Sequence, residues 1–279
     1  MDAKPDVCGP FSTKKYTCYT DDSLIRMRDA WNERHPDDMI IDDNSKKIWK
    51  HFRNRFNDVC SIEKCWLRKI FSDNGGDIEE IENQTFAPKK PSKWKKNPRE
   101  WITSIDISRV MSQYESKYKG FAFLGAVPVD FAGTLRNKRC VIGDLCIFDI
   151  KKYIDMGKTS FGMAINTDPH TEGGEHWTSL YLNIANNKAS MTFFDSSGVE
   201  PMDEVYEFFD NIRDQLLPLG IKCKFYHNTM RHQYSRSECG MYSIYFITHM
   251  LNGTLSKFKI NNMVIQDKDM IKMRNHFFG

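Results

Sequence analysis

The feature that most constrains the fold is a pair of alternating apolar runs separated by a short polar turn. Apolar side chains occupy every second position of residues 180–184 and again of residues 189–193. Between the two runs lies Asn186-Asn187-Lys188, which is a typical turn sequence. Alternation with a period of two on both sides of a short turn predicts an antiparallel β-hairpin with one face in the core.

The outer ends of this hairpin carry a histidine and an aspartate. With the turn near residue 186, residues whose numbers sum to roughly 372 face each other across the two strands. His176, at the start of the first strand, is therefore expected near Asp195, at the end of the second. A carboxylate beside an imidazole fixes the tautomer of the ring and stabilises its protonated form, so this pair is a candidate for acid–base catalysis.

A cysteine lies where a polar loop meets a long apolar run. Residues 232–238 are polar, Cys239 follows, and residues 241–247 are largely apolar. The pattern predicts that Cys239 occupies the first turn of a buried helix, where unpaired N–H groups and the helix dipole favour thiolate over thiol. Gln233, in the same loop, could donate a hydrogen bond from its side-chain amide to a developing oxyanion.

The side chains of His176, Asp195 and Cys239 have complementary chemistry. The imidazole would take the thiol proton, the carboxylate would orient the ring, and the sulfur would attack a carbonyl. Each residue alone has a plainer interpretation, as a satisfied histidine, a turn-forming aspartate or a core cysteine. Their joint occurrence around one hairpin and one helix start favours the catalytic interpretation. Other histidines could serve as the base on composition alone: His170, His227, His232 and His249.

These motifs resemble those of the ubiquitin-like-protein protease clan, which includes the SUMO proteases and the adenovirus protease. The resemblance rests on Glu175-His176-Trp177, on Phe193-Phe194-Asp195-Ser196-Ser197-Gly198, and on Gln233 followed by Cys239-Gly240. The order histidine, acid, glutamine, cysteine is that of the clan, whereas in papain the cysteine comes first. The resemblance therefore implies a papain-like fold in permuted order.

The same resemblance implies roles for individual residues. His176, Asp195 and Cys239 would be catalytic, and Gln233 would support the oxyanion. Trp177 would wall a narrow channel for the glycine-rich end of the substrate. Gly240, which follows the nucleophile, is assigned to substrate binding with Trp177.

A closer resemblance is to the polyprotein-processing cysteine proteases of large cytoplasmic DNA viruses such as African swine fever virus. There too the cysteine loop is similar to Arg231-His232-Gln233 through Glu238-Cys239-Gly240, and a helical N-terminal region precedes the core. This resemblance implies cleavage after Gly-Gly or Gly-X in structural precursor proteins during virion maturation. It also implies a location in the virion and in the host cytoplasm, at the virus factory.

Residues 1–85 are predicted to form a helical accessory region. Ser23, Ser45 and Ser61 each precede apolar residues at helical spacing, which predicts three helices. A break is expected at Asn74-Gly75-Gly76-Asp77.

Residues 86–98 are predicted to be a basic linker or arm. Residues 89–99 carry six positive charges and no negative charge, and prolines at 88, 91 and 98 are expected to exclude regular structure. A solvated linker is the plainer interpretation. The alternative is a surface for an acidic protein or a nucleic acid.

Residues 99–279 are predicted to form the protease core, an α+β domain with a mainly antiparallel sheet packed on helices. Helices are predicted from Trp101 to about Tyr118 and after Pro201, and a strand is predicted over residues 221–225. The segment 120–165 is strand-like, but its pattern leaves open whether residues 146–150 form a strand or a helix.

Composition sets further limits on the chain of 279 residues. No apolar stretch is long enough to span a membrane and no apolar leader is seen, so we expect a soluble protein without membrane contact. The eight cysteines form no CxxC pair and no zinc-like spacing, and we expect reduced thiols, no metal and no cofactor. A net charge of +3 does not by itself indicate nucleic-acid binding.

Four functional hypotheses follow. The first is an endopeptidase acting on viral structural precursors, with a protein substrate that has a glycine-rich cleavage site. The second is an isopeptidase that removes ubiquitin or a SUMO-like modifier from host conjugates with the same three catalytic residues. The third is an acyltransferase on the same scaffold, since an acyl-enzyme can be captured by an amine instead of water. The fourth is a binding module without catalysis.

Overall fold

The computed structural model describes residues 6–71 and 75–279. The chain divides into two compact units, one made of residues 1–90 with 275–279 and the other of residues 91–274. Within the described residues, no helix is long and apolar enough to cross a lipid bilayer. The functional division into accessory region, linker and core, with boundaries at residues 85 and 98, stays a prediction.

The first unit is mainly helical. Its helices are α1 (Asp21–Arg34), α2 (Ser45–Phe56), α3 (Lys64–Ile70) and α4 (Gly75–Thr85). The first two begin at polar caps: Thr20 accepts a hydrogen bond from the backbone of Ser23, and Asn44 accepts from the first turn of α2. The apolar faces of these helices meet in a core rich in aromatic rings, which includes Trp31, Phe52 and Trp66.

Three of these helices match the apolar spacing seen in the sequence. The fourth does not, because α4 begins at Gly75, inside the predicted break. Asn74, the first residue of the predicted break, lies outside the described residues.

The second unit holds the sheet. Its helices are α5 (Ser104–Lys117), α6 (Ile150–Asp155), α7 (Asp203–Leu216) and α8 (Cys239–Leu251), and α9 (Asp267–Phe277) begins in it. Its strands are β1 (Phe121–Pro128), β2 (Ser160–Asn166), β3 (Trp177–Ala185), β4 (Lys188–Phe194) and β5 (Lys222–His227). Residues 146–150, which the sequence left open, form no strand: they lie in a short 3-10 turn and at the start of α6.

The five strands follow the sheet in chain order, β1-β2-β3-β4-β5. The β2–β3 and β3–β4 pairings are antiparallel, whereas β1–β2 and β4–β5 are parallel. The α+β class is therefore confirmed, with a sheet that is mixed in detail. Parallel pairs arise at both edges because α6 and α7 carry the chain back across the sheet before β2 and β5.

The predicted hairpin is β3 and β4. Asn186 and Asn187 both have positive φ, at 51° and 57°, which suits the tight turn of a hairpin. Facing residues have numbers that sum to 373, as in the pair Leu180 and Phe193. One face of the hairpin packs on α7, and the other packs on α8, where the rings of Phe194 and Phe246 stack at 4.8 Å between centroids.

The segment 86–98 is more ordered than its prolines suggest. Ser92–Lys95 forms a single 3-10 turn, with Trp94 buried and the neighbouring lysines exposed. The indole Nε1 of Trp94 donates a hydrogen bond to the carbonyl of Glu100 at 3.0 Å. The expectation that prolines exclude regular structure is therefore wrong for these four residues, because one buried aromatic ring anchors the turn.

The prediction that all cysteines are reduced is wrong for six of them. Disulfides join three pairs that are close in sequence: Cys8–Cys18, Cys60–Cys65 and Cys140–Cys146. Cys223 and Cys239 are free. Neither CxxC nor zinc spacing marks these cysteines, but turns with sequence separations of five to ten residues bring the two Cα atoms of each pair within disulfide reach.

Candidate active site

The three predicted catalytic residues lie at the ends of secondary-structure elements in the second unit. His176 directly precedes β3, Asp195 directly follows β4, and Cys239 is the first residue of α8. The antiparallel pairing of β3 with β4 places the first two at the same end of the sheet. Helix α8 packs across β2 and β3, which brings its N-terminal turn to that end.

The contact between His176 and Asp195 is direct. The ring atom Nε2 lies 2.7 Å from the Asp195 Oδ1 atom, and Asp195 is 3% exposed. The same carboxylate accepts hydrogen bonds from the backbone N–H groups of Ser197, at 2.8 Å, and Val199, at 3.2 Å. The turn that follows β4 therefore fixes the carboxylate, and the carboxylate fixes the ring.

The electrostatics of the imidazole favour its protonated form. Burial of the His176 ring opposes protonation, but its hydrogen bonds and charge interactions with Asp195 and Cys239 outweigh burial and raise the pKa of His176 to about 10. Since Nε2 is bonded to Asp195, Nδ1 is the ring nitrogen left to interact with the Cys239 sulfur. This arrangement suits an imidazolium that lies beside the Cys239 sulfur.

Asn228 fixes the backbone of Asp195. Its Oδ1 atom accepts a hydrogen bond from the Asp195 N–H at 2.9 Å, and its Nδ2 atom donates to the Asp195 carbonyl at 2.7 Å and to the Met230 carbonyl at 2.9 Å. The side chain is fully buried. Sequence reasoning did not identify Asn228, because a single asparagine after a strand gives no motif.

Gln233 is held at the same end of the sheet by Ser196. The Ser196 hydroxyl donates to Gln233 Oε1 at 2.7 Å, and the Gln233 backbone N–H donates to the Ser196 carbonyl at 2.8 Å. Because Oε1 is bonded to Ser196, the amide nitrogen Nε2 points away from Ser196. Nε2 donates a hydrogen bond to the Ser235 carbonyl at 2.7 Å. An amide NH2 has two hydrogens, so one N–H remains for another acceptor.

Gly240 lies in a tight part of the site. A Cβ atom added there would lie 2.5 Å from Cγ1 of Ile102 and 3.4 Å from Cδ1 of Trp177. The half-buried Trp177 side chain therefore borders the helix turn that carries Cys239. Trp177 and Gly240, the two predicted substrate-binding residues, lie side by side.

A buried ion pair stands directly before the cysteine. Glu238 Oε2 accepts from Nε of Arg274 at 2.8 Å, and the two residues are 0% and 3% exposed. Arg274 gave no sequence signal, because it lies on α9, 36 residues after Glu238, and pairs with it only through the fold.

The other histidines considered as the base are bonded elsewhere. Each makes a polar contact with a different group: His170 with Asp130, His227 with the Asn228 carbonyl, His232 with Ile260 and Ile265, and His249 with the Tyr245 carbonyl. In the described ranges, no group of three or more potential metal ligands comes together.

Comparisons with known proteins show what this chain is similar to. The profile of a family described as YopJ Serine/Threonine acetyltransferase matches residues 144–274. One relative, named as a thiol protease, comes from Acanthamoeba polyphaga mimivirus. It is 29% identical over 272 residues, and the alignment covers 89% of this chain and 85% of the relative's length. A SUMO-1 cysteine protease from a pig isolate of African swine fever virus is 32% identical over 251 residues, covering 84% of this chain and 90% of its own.

The structural comparison shows the same fold. The crystal structure of the African swine fever virus protease superposes with a TM-score of 0.71 at 21% identity, over 99% of this chain and 97% of that one. Fold and relatives together define a cysteine protease, and the resemblance seen in the sequence is confirmed. The chain belongs to the family of the SUMO-1 cysteine protease of African swine fever virus.

Proposed function

We propose that the protein is an endopeptidase that uses Cys239 as nucleophile, His176 as general acid and base, and Asp195 as the group that orients the ring. The observation that carries the proposal is the bond between His176 and Asp195, with Nδ1 left for the first residue of α8. A half-buried, charge-stabilised imidazolium beside a sulfur at a helix N-terminus matches the requirements of thiol catalysis.

The reaction would proceed in two halves. The Cys239 thiolate adds to the peptide carbonyl, and the oxygen that becomes negative accepts hydrogen bonds from the free N–H of Gln233 and from backbone N–H groups at the start of α8. The imidazolium of His176 protonates the departing amine. Water, deprotonated by the neutral ring, then attacks the thioester and releases the acid and the thiol.

We propose that the substrate carries glycine on the acyl side of the cleaved bond, as in Gly-Gly or Gly-X. Support comes from the position of the Trp177 indole, whose Cδ1 lies in ordinary contact range, 3.4 Å from where a Cβ of Gly240 would stand, so that the indole borders the turn that carries the nucleophile. The substrates would be structural precursor proteins of a virus, cleaved during virion maturation in the virion or the host cytoplasm. The viral relatives support this setting.

The test compares wild-type protein with Cys239→Ala on candidate viral precursors, with new termini identified by mass spectrometry. We expect cleavage after Gly-Gly or Gly-X only with wild type. Matched peptides in which alanine replaces the glycine nearest the bond should be cut much more slowly. New termini that persist in Cys239→Ala, or equal cleavage of glycine and alanine peptides, would contradict the proposal.

Two other activities have specific support. The name of the African swine fever virus relative favours an isopeptidase acting on SUMO-like conjugates. Such an enzyme should react with a probe made of the whole folded modifier and leave short peptides uncut. The acetyltransferase profile over residues 144–274 favours acyl transfer, which predicts labelling of Cys239 by acetyl-coenzyme A.

We also propose an acidic partner, either protein or nucleic acid, for the basic segment. Lys93, Lys95 and Lys96 are exposed, while Trp94 between them is buried and holds the turn in place. Replacing the three lysines by glutamine should weaken binding to a polyanion such as heparin or single-stranded DNA, and should reduce the salt dependence of that binding. Unchanged binding would contradict this part.

A further inference from the structure

Arg274 is buried and bonds to the two residues that directly precede the candidate nucleophile. Its Nε atom donates to Glu238, and its terminal nitrogens donate to the backbone carbonyls of Ser237, at 3.0 Å, and Glu100, at 2.7 Å. A weaker bond to the Pro98 carbonyl measures 3.3 Å. The guanidinium also lies over the Trp94 ring, 4.5 Å from its centroid.

One side chain on α9 therefore joins two separate segments. The first is the loop 237–238, which delivers Cys239 to α8, and the second is the segment 94–100, which leads towards α5. Arginine suits this task because its planar fork presents several fixed donors, whereas a lysine ammonium acts as a single point charge. Lysine at this position could pair with Glu238 without reaching all of the carbonyls.

Stability alone is a poor explanation for the pair. Taking two charges out of water costs several kcal/mol per ion, and apolar side chains of similar size often stabilise such a site at least as well. Glu238 is also the N-cap residue of α8, yet its side chain does not cap the helix and points to Arg274 instead. The start of α8 is thus held from outside the helix.

The pair also has an electrostatic consequence for the cysteine. A buried carboxylate one residue before Cys239 would disfavour a thiolate there if the carboxylate were unpaired. Arg274 compensates that charge. From these contacts we propose that Arg274 is a positioning residue for the protease reaction: it fixes the loop that presents Cys239 and neutralises Glu238 beside it.

This inference rests on the proposed role of Cys239. The experiment measures kcat and KM for a glycine peptide, the rate of Cys239 alkylation by iodoacetamide, and the folded fraction by circular dichroism. The variants are Arg274→Lys, Arg274→Met, and Arg274→Met combined with Glu238→Gln. Lys272→Met is the matched control, because Lys272 lies on the same helix with its side chain 72% exposed.

We expect Arg274→Lys to fold and to lose about 10-fold to 100-fold in kcat, the cost of misplacing a reacting group by about 1 Å, with KM within about twofold of wild type. Arg274→Met should slow alkylation of Cys239 about tenfold. Arg274→Met combined with Glu238→Gln should recover most of the alkylation rate, because the unpaired Glu238 charge is gone. It should not recover kcat, because the carbonyls of Ser237 and Glu100 still lack their hydrogen-bond donor. Lys272→Met should match wild type.

Some outcomes would overturn the inference. One is a kcat per folded molecule of Arg274→Lys equal to that of wild type, which would leave Arg274 a merely structural role. Another is an effect confined to KM, and a third is alkylation as slow in the double variant as in Arg274→Met. If wild type and Cys239→Ala both fail to cut, the proposed function fails instead, and the alkylation rates still test Arg274.

Discussion

Substitution of Gly240 by alanine tests whether the first turn of α8 has room for any side chain. The added Cβ would lie 2.5 Å from Cγ1 and 2.8 Å from Cδ1 of Ile102, and real Cβ contacts are not that short. Ile102 is 4% exposed, so its side chain has little freedom to move away. Overpacking of this kind costs about 1–3 kcal/mol, and we expect Gly240→Ala to lower the free energy of unfolding by that amount.

The assay is urea denaturation, with kcat/KM for a glycine peptide measured in parallel. Gly173→Ala is the matched control, because a Cβ at Gly173 meets nothing within 4 Å and should change stability by no more than about 0.5 kcal/mol. Activity should also fall in Gly240→Ala, because the turn that must shift carries Cys239.

A double-mutant cycle tests whether the clash with Ile102 causes the destabilisation of Gly240→Ala. Ile102→Ala removes both atoms that clash and should cost about 2–5 kcal/mol by itself. If the clash is the mechanism, Gly240→Ala combined with Ile102→Ala should be more stable than the sum of the single effects by about 1 kcal/mol or more. Strict additivity, or a Gly240→Ala protein as stable as Gly173→Ala, would refute the reasoning.

Further expectations concern titratable groups and the candidate catalytic residues. Asp195→Asn should retain more activity than His176→Ala in peptide assays, because an amide oxygen can still accept the bond from the ring; equal loss would argue against the orienting role. The pKa of His176 is raised to about 10, so its contribution to stability should be complete below pH 6.5 and lost as pH rises towards 10, measured as the difference between wild type and His176→Ala in urea. Burial lowers the pKa of His232, whose two ring nitrogens are bonded to backbone groups, so the free energy of unfolding should fall as the solution is acidified below pH 6.5. His232→Gln should remove this dependence of the unfolding free energy on pH. Burial raises the pKa of Cys223 to about 11, so peptide mapping after alkylation near neutral pH should find this free thiol unmodified; rapid labelling would contradict its environment.

The parts of the fold that the sequence predicted are those with local patterns. The β3–β4 hairpin follows from alternation and an asparagine turn, and its observed pairing differs from the predicted one by a single residue. The presence of α1 and α2 follows from their apolar spacing, although the observed caps are Thr20 and Asn44 and not Ser23 and Ser45, from which the sequence predicted the two helices. Cys239 at the start of α8 follows from a polar loop before an apolar run.

The sequence did not predict β2 as a defined strand, and the reason is physical. Every residue of Ser160–Asn166 is buried, because helices cover both faces of the sheet at its centre, so the strand shows no alternation. Gly162 lies so close to Ile247 and Phe121 that any Cβ there would clash. Which strands pair in parallel is likewise decided by contacts that are distant in sequence.

In the candidate site, too, the residues with a local sequence pattern were predicted and those set by the fold were not. His176, Asp195, Gln233 and Cys239 belong to motifs, and the sequence named all four. Their supports are side chains that bond to these residues or to their immediate neighbours, two of them from within the same motifs and two from elsewhere in the chain: Ser196, Glu238, Asn228 and Arg274. Such supports have no spacing rule, because any donor that the fold brings within reach can take the role.

The distance between the Cys239 sulfur and the His176 ring is set by how α8 lies on the sheet. Along the helix, the Ser243 hydroxyl donates to the Thr178 carbonyl of β3 at 3.1 Å, and Phe246 stacks on Phe194 of β4. These contacts fix the height and the direction of α8 over the two strands that also carry the ring and its carboxylate. At the first turn of α8, the Glu238–Arg274 ion pair and the packing of Ile102 against Gly240 add contacts on the side of the helix that carries the nucleophile's own residue and its neighbours.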